Sequence, residues 1–157
     1  MDVTTMPSTV SLIQQLKTDY PTLSFTKSND FSWSPTDQTV YYKDEADSDA
    51  FLLHELSHGL LHHSDYTRDI ELITMERAAW DKASQLAVTY HQNIDEFLVE
   101  TTLDSYRDWL HARSMCPNCS ATGLQTKKQA YTCPACSHSW RVNEARVCAL
   151  RRFSVSF

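Results

Sequence analysis

Glycine is nearly missing from this sequence: its 157 residues contain two, Gly59 and Gly123. With no glycine-rich linker, internal repeat or low-complexity stretch to mark a boundary, the organisation of the chain has to be read from charge and cysteine. Long apolar runs are missing too. Nowhere do eighteen apolar residues follow one another, and the opening "MDVTTMPSTV" has no basic start leading into an apolar stretch. Neither a membrane span nor a secretory leader is therefore expected. The expectation is a cytoplasmic protein with no membrane partner, of a size that suits one ordinary domain and a small appendage.

Basic residues are scarce over most of the length. Residues 1 to 110 hold 7 Lys/Arg against 19 Asp/Glu, whereas 111 to 157 hold 7 against 1, and these subtotals of -12 and +6 make up the net -6. Such asymmetry predicts two functional parts, 1–113 and 114–157. Five cysteines in an intracellular chain, an odd number, read as metal ligands or reactive thiols rather than disulfides.

Periodicity sketches an α+β fold. Val10, Ile13 and Leu16 recur at helical spacing behind Ser8 as an N-cap, with Pro21 as a stop. The short runs "LSFTKS", "FSWS" and "QTVYYK" predict a small antiparallel sheet. Three helices follow: about Ser48 to His62, with acids in its first turn, Asp69 to Tyr90, and Ile94 to Arg113, opened by Asn93 with Glu96 three residues on.

"FLLHELSHGLLHH", residues 51 to 63, carries four histidines. His54 and His58 are four apart, so on a helix they share a face about 6 Å apart along the axis, close enough for one metal ion. Glu55 lies beside them, where a carboxylate can take a proton from a water attacking a carbonyl, the logic of the HExxH metalloproteases. Leucines surround these residues, and an unpaired His or Glu on a buried helix is costly. His62, about 12 Å along the axis from His54, is too far to share the ion; His62 and His63 read as a C-terminal pair favoured by the helix dipole.

A third ligand should come from the next helix, where Glu71 and Glu76 compete. Glu76 is followed at +3, +4 and +7 by Ala79, Trp80 and Ala83, an apolar stripe on which a bare carboxylate costs several kcal/mol. Glu71 shares a mixed face with Thr74, Met75, Ala78 and Lys82, where a solvated acid needs no explanation. Periodicity favours Glu76; its bland alternative is an ion pair with Arg77 or another surface charge.

With "HELSHGLLHH" and, 18 positions after His58, "ERAAWDKA", the chain resembles the ImmA/IrrE-type zinc metallopeptidases over about residues 8 to 90. The resemblance implies a zincin-like core in which His54, His58 and Glu76 hold a catalytic zinc and Glu55 is the general base. Trp80 stands where that family usually has a small polar residue, a change in the pocket wall. The resemblance also implies a substrate class, helix-turn-helix repressors of mobile elements or stress regulons, cleaved after DNA damage or another stress. Physically, the strand "TVYY" could pair with an extended peptide and deliver its scissile carbonyl. Tyr66, Tyr90 and His91 are candidate oxyanion donors, the bland alternative for each being an ordinary packing or surface residue.

A second metal site is read from "CPNC" and "CPAC", Cys116, Cys119, Cys133 and Cys136, which enclose thirteen residues, close to zinc-ribbon spacing. "QAYT" and "HSWRV" are its expected strands, and two zinc ions, one catalytic and one structural, are expected in all. Ser120 and Ser137 follow the pairs where ribbons often place glycine. Cys148 is left over, as a small buried hydrophobe or an inhibitory ligand reaching the catalytic zinc. Basic residues interleaved with Tyr131, Trp140 and Phe153 suit single-stranded DNA, or else simply lie against the acidic half. The function expected is that of a zinc endopeptidase cleaving a regulatory protein. One rival is an SprT-like protease of DNA-bound proteins, which expects a histidine as third ligand; another is a non-catalytic zinc-ribbon DNA-binding regulator.

Overall fold

The computed structural model describes residues 9–45, 48–144, 150 and 152–154, with side chains from Leu12 onward. The expected Ser8 cap, the packing of Val10, and Cys148, Arg146 and Arg151 lie outside the described residues. The architecture is α+β: α1 (Thr9–Asp19), β1 (Ser24–Lys27), β2 (Ser32–Ser34), β3 (Thr39–Tyr42), α2 (Asp49–Leu60), α3 (Asp69–Thr89), α4 (Glu96–Ser114), then β4 (Leu124–Lys127), β5 (Ala130–Thr132), β6 (Ser139–Val142) and β7 (Arg152–Ser154). None of the described helices is long and apolar enough to cross a membrane. The chain forms two compact units, Met1–Ser64 with Met75–Val99, and Asp65–Thr74 with Glu100–Phe157. The charge boundary at 113/114 coincides with the end of α4 and lies inside the second unit.

In the first unit α1 buries Leu12, Ile13 and Leu16 and packs on β1. The sheet is mixed, not antiparallel, with strand order β1-β3-β2. β2 and β3 form an antiparallel hairpin, Trp33 opposite Val40, while β1 runs parallel to β3, Phe25 opposite Val40. The reason is directional: β2 reverses the chain and occupies one edge of β3, so β1 on the other edge points the same way as β3. A consequence corrects a sequence expectation. "TVYY" is the interior strand and has both edges paired, so it cannot accept a peptide; among the described residues the sheet's open edges belong to β1 and β2.

α2 lies across β2 and β3 and buries Leu52, Leu53 and Leu56. It stops two residues short of the expected end. Leu61 caps it, His62 takes the left-handed backbone (φ 57), and two hydrogen bonds close the turn, His62 N–H to Gly59 O at 3.1 Å and His63 N–H to His58 O at 2.9 Å. This is the Schellman arrangement that satisfies orphan carbonyls at a helix end. α3 ends the same way, with His91 left-handed (φ 55) and Gln92 N–H bonded to Ala87 O at 2.8 Å. α4 starts later than Asn93 would have it, because Asp95 is the residue that caps, its Oδ1 accepting the Phe97 N–H at 2.9 Å.

The second unit holds a four-stranded antiparallel sheet, β4-β5-β6-β7, two strands wider than expected. Tyr131, Trp140 and Val142 pack with Cys116 and Cys133 in its core. A buried polar cluster adjoins it: Arg113 Nε donates to Asp69 Oδ2 at 2.8 Å, Tyr131 OH donates to the same oxygen, and Arg113 Nη1 donates to Glu144 O at 2.9 Å. Every member has a partner, the condition under which buried charges are tolerated.

Candidate metal centres

α2 and α3 bring His54, His58 and Glu76 together in the first unit. All three are buried, and one ligand atom from each lies within 4.8 Å of the others, so the group could hold a metal ion. His54 Nε2 is 2.9 Å from Glu76 Oε2 and 3.1 Å from His58 Nε2, and His58 Nε2 is 3.2 Å from Glu76 Oε1. Three lone-pair donors converging away from water is the chemistry a cation resolves. Ala79, Trp80 and Ala83 are buried, as the apolar stripe around Glu76 requires. Glu71 is exposed and accepts the Thr67 N–H at 3.1 Å, so it belongs to its own helix start and not to this group.

Electrostatics follow from that packing. Burial alone would raise Glu76, but hydrogen bonds from His54 and His58 outweigh it and draw its pKa down to about 2. Burial opposes the charged form of His58, yet its bond to Glu76 and the charges of Glu76 and Glu55 raise it on balance. Glu55, partly exposed beside the ligands, is raised chiefly by burial.

The sequence reading missed His63. The Schellman turn folds it back so that its Nδ1 lies 2.8 Å from His58 Nδ1. For His58 to offer Nε2 to a metal, its Nδ1 must carry the proton, and His63 then accepts it, fixing tautomer and ring orientation. Burial and the neighbouring His58 lower the pKa of His63, which keeps it a neutral acceptor. The Trp33 indole N–H donates to His63 O at 3.1 Å and so holds the turn. The reading as a helix-terminal pair therefore needs correction: both histidines lie beyond the helix, His62 exposed and His63 in the site. The signal was present in the two residues after a helix stop, but not the turn geometry that aims one of them. His54 is supported differently. Its Nδ1 is buried without a hydrogen-bond partner among the described residues, and Trp80 stacks on its ring with centroids 4.1 Å apart.

Each oxyanion candidate has its own surroundings. Tyr90 donates its hydroxyl to Asp19 Oδ2 at 2.6 Å, His91 is exposed at the end of α3, and Tyr66 belongs to the second unit, its ring 5.9 Å from Lys128 Nζ.

The second centre is the group Cys116, Cys119, Cys133 and Cys136, whose sulfurs all lie within 4.8 Å and could hold a metal ion. Its two halves match. Cys116 N–H bonds Ala121 O at 2.8 Å and Ser120 N–H bonds Cys116 O at 2.9 Å; Cys133 N–H bonds His138 O and Ser137 N–H bonds Cys133 O at the same two distances. Both serines are left-handed, φ 65 and 64. Cys136 is drawn down to about 6 by donors from Asn118 and the His138 backbone. The Ala121 backbone favours the Cys119 thiolate, but sharing with Cys133 and Cys136 prevails and holds Cys119 at about 12. One cation bound by four thiolates would remove this inequality. Comparisons with protein-family models, curated proteins and solved structures gave no match, so the chemistry rests on this geometry alone.

Proposed function

We propose that the chain is a zinc-dependent endopeptidase of the ImmA/IrrE kind, built on a zincin-like core with an appended zinc ribbon, and that it cleaves a regulatory protein, a helix-turn-helix repressor being the class the resemblance implies. The observation that carries this reading is the convergence of His54, His58 and Glu76 with Glu55 adjacent in the chain. A carboxylate in third place favours it over the SprT-like alternative. Zinc held by these three residues would supply Lewis acidity toward a peptide carbonyl and a water. Glu55 would accept the proton of the attacking water and return it to the leaving amine; burial raises its pKa, which favours holding that proton. His63 would keep His58 in its ligating tautomer. The open edge of β2, whose Trp33 bonds the end of the metal-bearing helix turn, is the place where an extended substrate could add as a strand. The four cysteines would hold a structural zinc.

The test is Glu55→Gln beside Glu76→Gln, with cleavage of a candidate repressor and metal content both measured. Glu55→Gln should keep the metal and lose cleavage, whereas Glu76→Gln should lose both. Full cleavage by Glu55→Gln would defeat the mechanism.

A further inference from the structure

The cations and aromatics interleaved along residues 111 to 157 do not act as one stripe. Arg113, Tyr131 and Trp140 are buried, Lys128 pairs with Asp65 at 2.8 Å, and Arg152 donates to Met115 O at 3.0 Å. What remains is ordered by the sheet. Tyr131, Trp140 and Val142 turn to the core, so strand alternation puts their neighbours on the outward face. There the register aligns Lys127, Ala130, Arg141 and Phe153 in one row across β4, β5, β6 and β7. Strand spacing sets Lys127 and Arg141 about 10 Å apart, with Phe153 beside Arg141. Phe153 is 53% exposed. Buried Ala130 is small, and over it, between the two cations, a cleft of about 320 Å³ opens, lined also by Thr126, Tyr131, Thr132, Ser139 and Trp140.

Among the described residues neither Lys127 nor Arg141 is in an ion pair with a carboxylate, and none of the four strands contains an acid. Two unneutralised cations on the rim of a mainly apolar cleft suit phosphates at that rim, and an exposed ring beside them suits a base with its face free. An acidic peptide would use the charges but leave the ring idle. A duplex keeps its bases stacked and would do the same.

We propose that this outward face binds single-stranded nucleic acid, Lys127 and Arg141 holding the phosphates and Phe153 stacking a base. The binding does not depend on the reaction at the histidine centre. Full-length protein would be titrated into fluorescently labelled oligothymidylate, with anisotropy read at several salt concentrations. Affinity should fall with salt, and Lys127→Ala combined with Arg141→Ala should reduce the log–log slope by about 1.4, at about 0.7 per phosphate contact. Phe153→Ala should weaken binding about fivefold or more and leave the slope alone. Arg141→Lys, which keeps the charge, should keep the slope. No binding at low salt, binding indifferent to these changes, or equal binding of a duplex or of polyglutamate would overturn the proposal, the last in favour of an acidic protein partner.

Discussion

His63 shows how much a single side chain outside the metal group can decide. If it holds His58 in its ligating tautomer, His63→Ala should weaken metal binding about 10–100-fold while leaving the four-cysteine centre loaded. Competition with a chromophoric chelator measures this, and unchanged affinity would reduce His63 to a turn residue. Glu71→Gln, outside the group, should leave affinity where it was. A second prediction concerns the chelator-treated protein. The raised His58 lends stability below its ordinary value of 6.5 and loses it as pH rises through the raised value. Glu55, an acid held up by burial, likewise costs stability as pH rises past 4.5. Glu76, held down, contributes above 4.5 and loses that contribution as pH falls toward about 2. His58, Glu55 and Glu76 together favour mildly acidic buffer for the metal-free protein, the lowered His63 and Cys136 work against it, and added zinc should shift the optimum upward because the ion competes with protons for the imidazoles. Melting curves across pH with and without zinc would show it; an unshifted optimum would mean that zinc does not bind at these histidines.

At the scale of elements, the scarcity of glycine acquires a meaning. Six described residues have left-handed backbone, Gln38, His62, His91, Ser120, Gln129 and Ser137, and neither glycine does. The glycines serve close approach instead. A Cβ at Gly59 would come 2.9 Å from the Trp33 ring, and one at Gly123 would collide with the Trp140 ring. Gly59→Ala should therefore push Trp33 off α2, cost about 1–3 kcal/mol by overpacking, and weaken metal binding through the loosened Trp33–His63 bond. A melting temperature unchanged from wild type would show that Trp33 yields freely. At the cysteine knuckles the reverse substitution should help: Ser120→Gly and Ser137→Gly each relieve a left-handed strain and should stabilise the second unit by about 1 kcal/mol, read by denaturant unfolding of the metal-loaded protein.

For the whole molecule, two separate ligand groups predict two metal ions per chain. Elemental analysis should find both in wild-type protein, one after His54→Ala and one after Cys116→Ser, each substitution sparing the other centre. Loss of both ions from either variant would mean that the centres are not independent. Helix existence, the three ligand pairs and the choice of Glu76 over Glu71 were legible in the sequence, because i, i+4 spacing, a Cys-x-x-Cys turn and an apolar stripe are consequences of local backbone geometry. The interior position of β3, the return of His63 and the burial of Arg113 were not. They depend on pairings between distant segments, β1 with β3, Trp33 with His63, and Asp69 with Arg113 across 44 positions, and no local period encodes which of several edges, turns or carboxylates a residue will meet. Sequence alone thus determined which atoms could bind metal. Only the tertiary structure decided which histidine lies against His58, which strands form the edges of the described sheet, and which cations are left facing water.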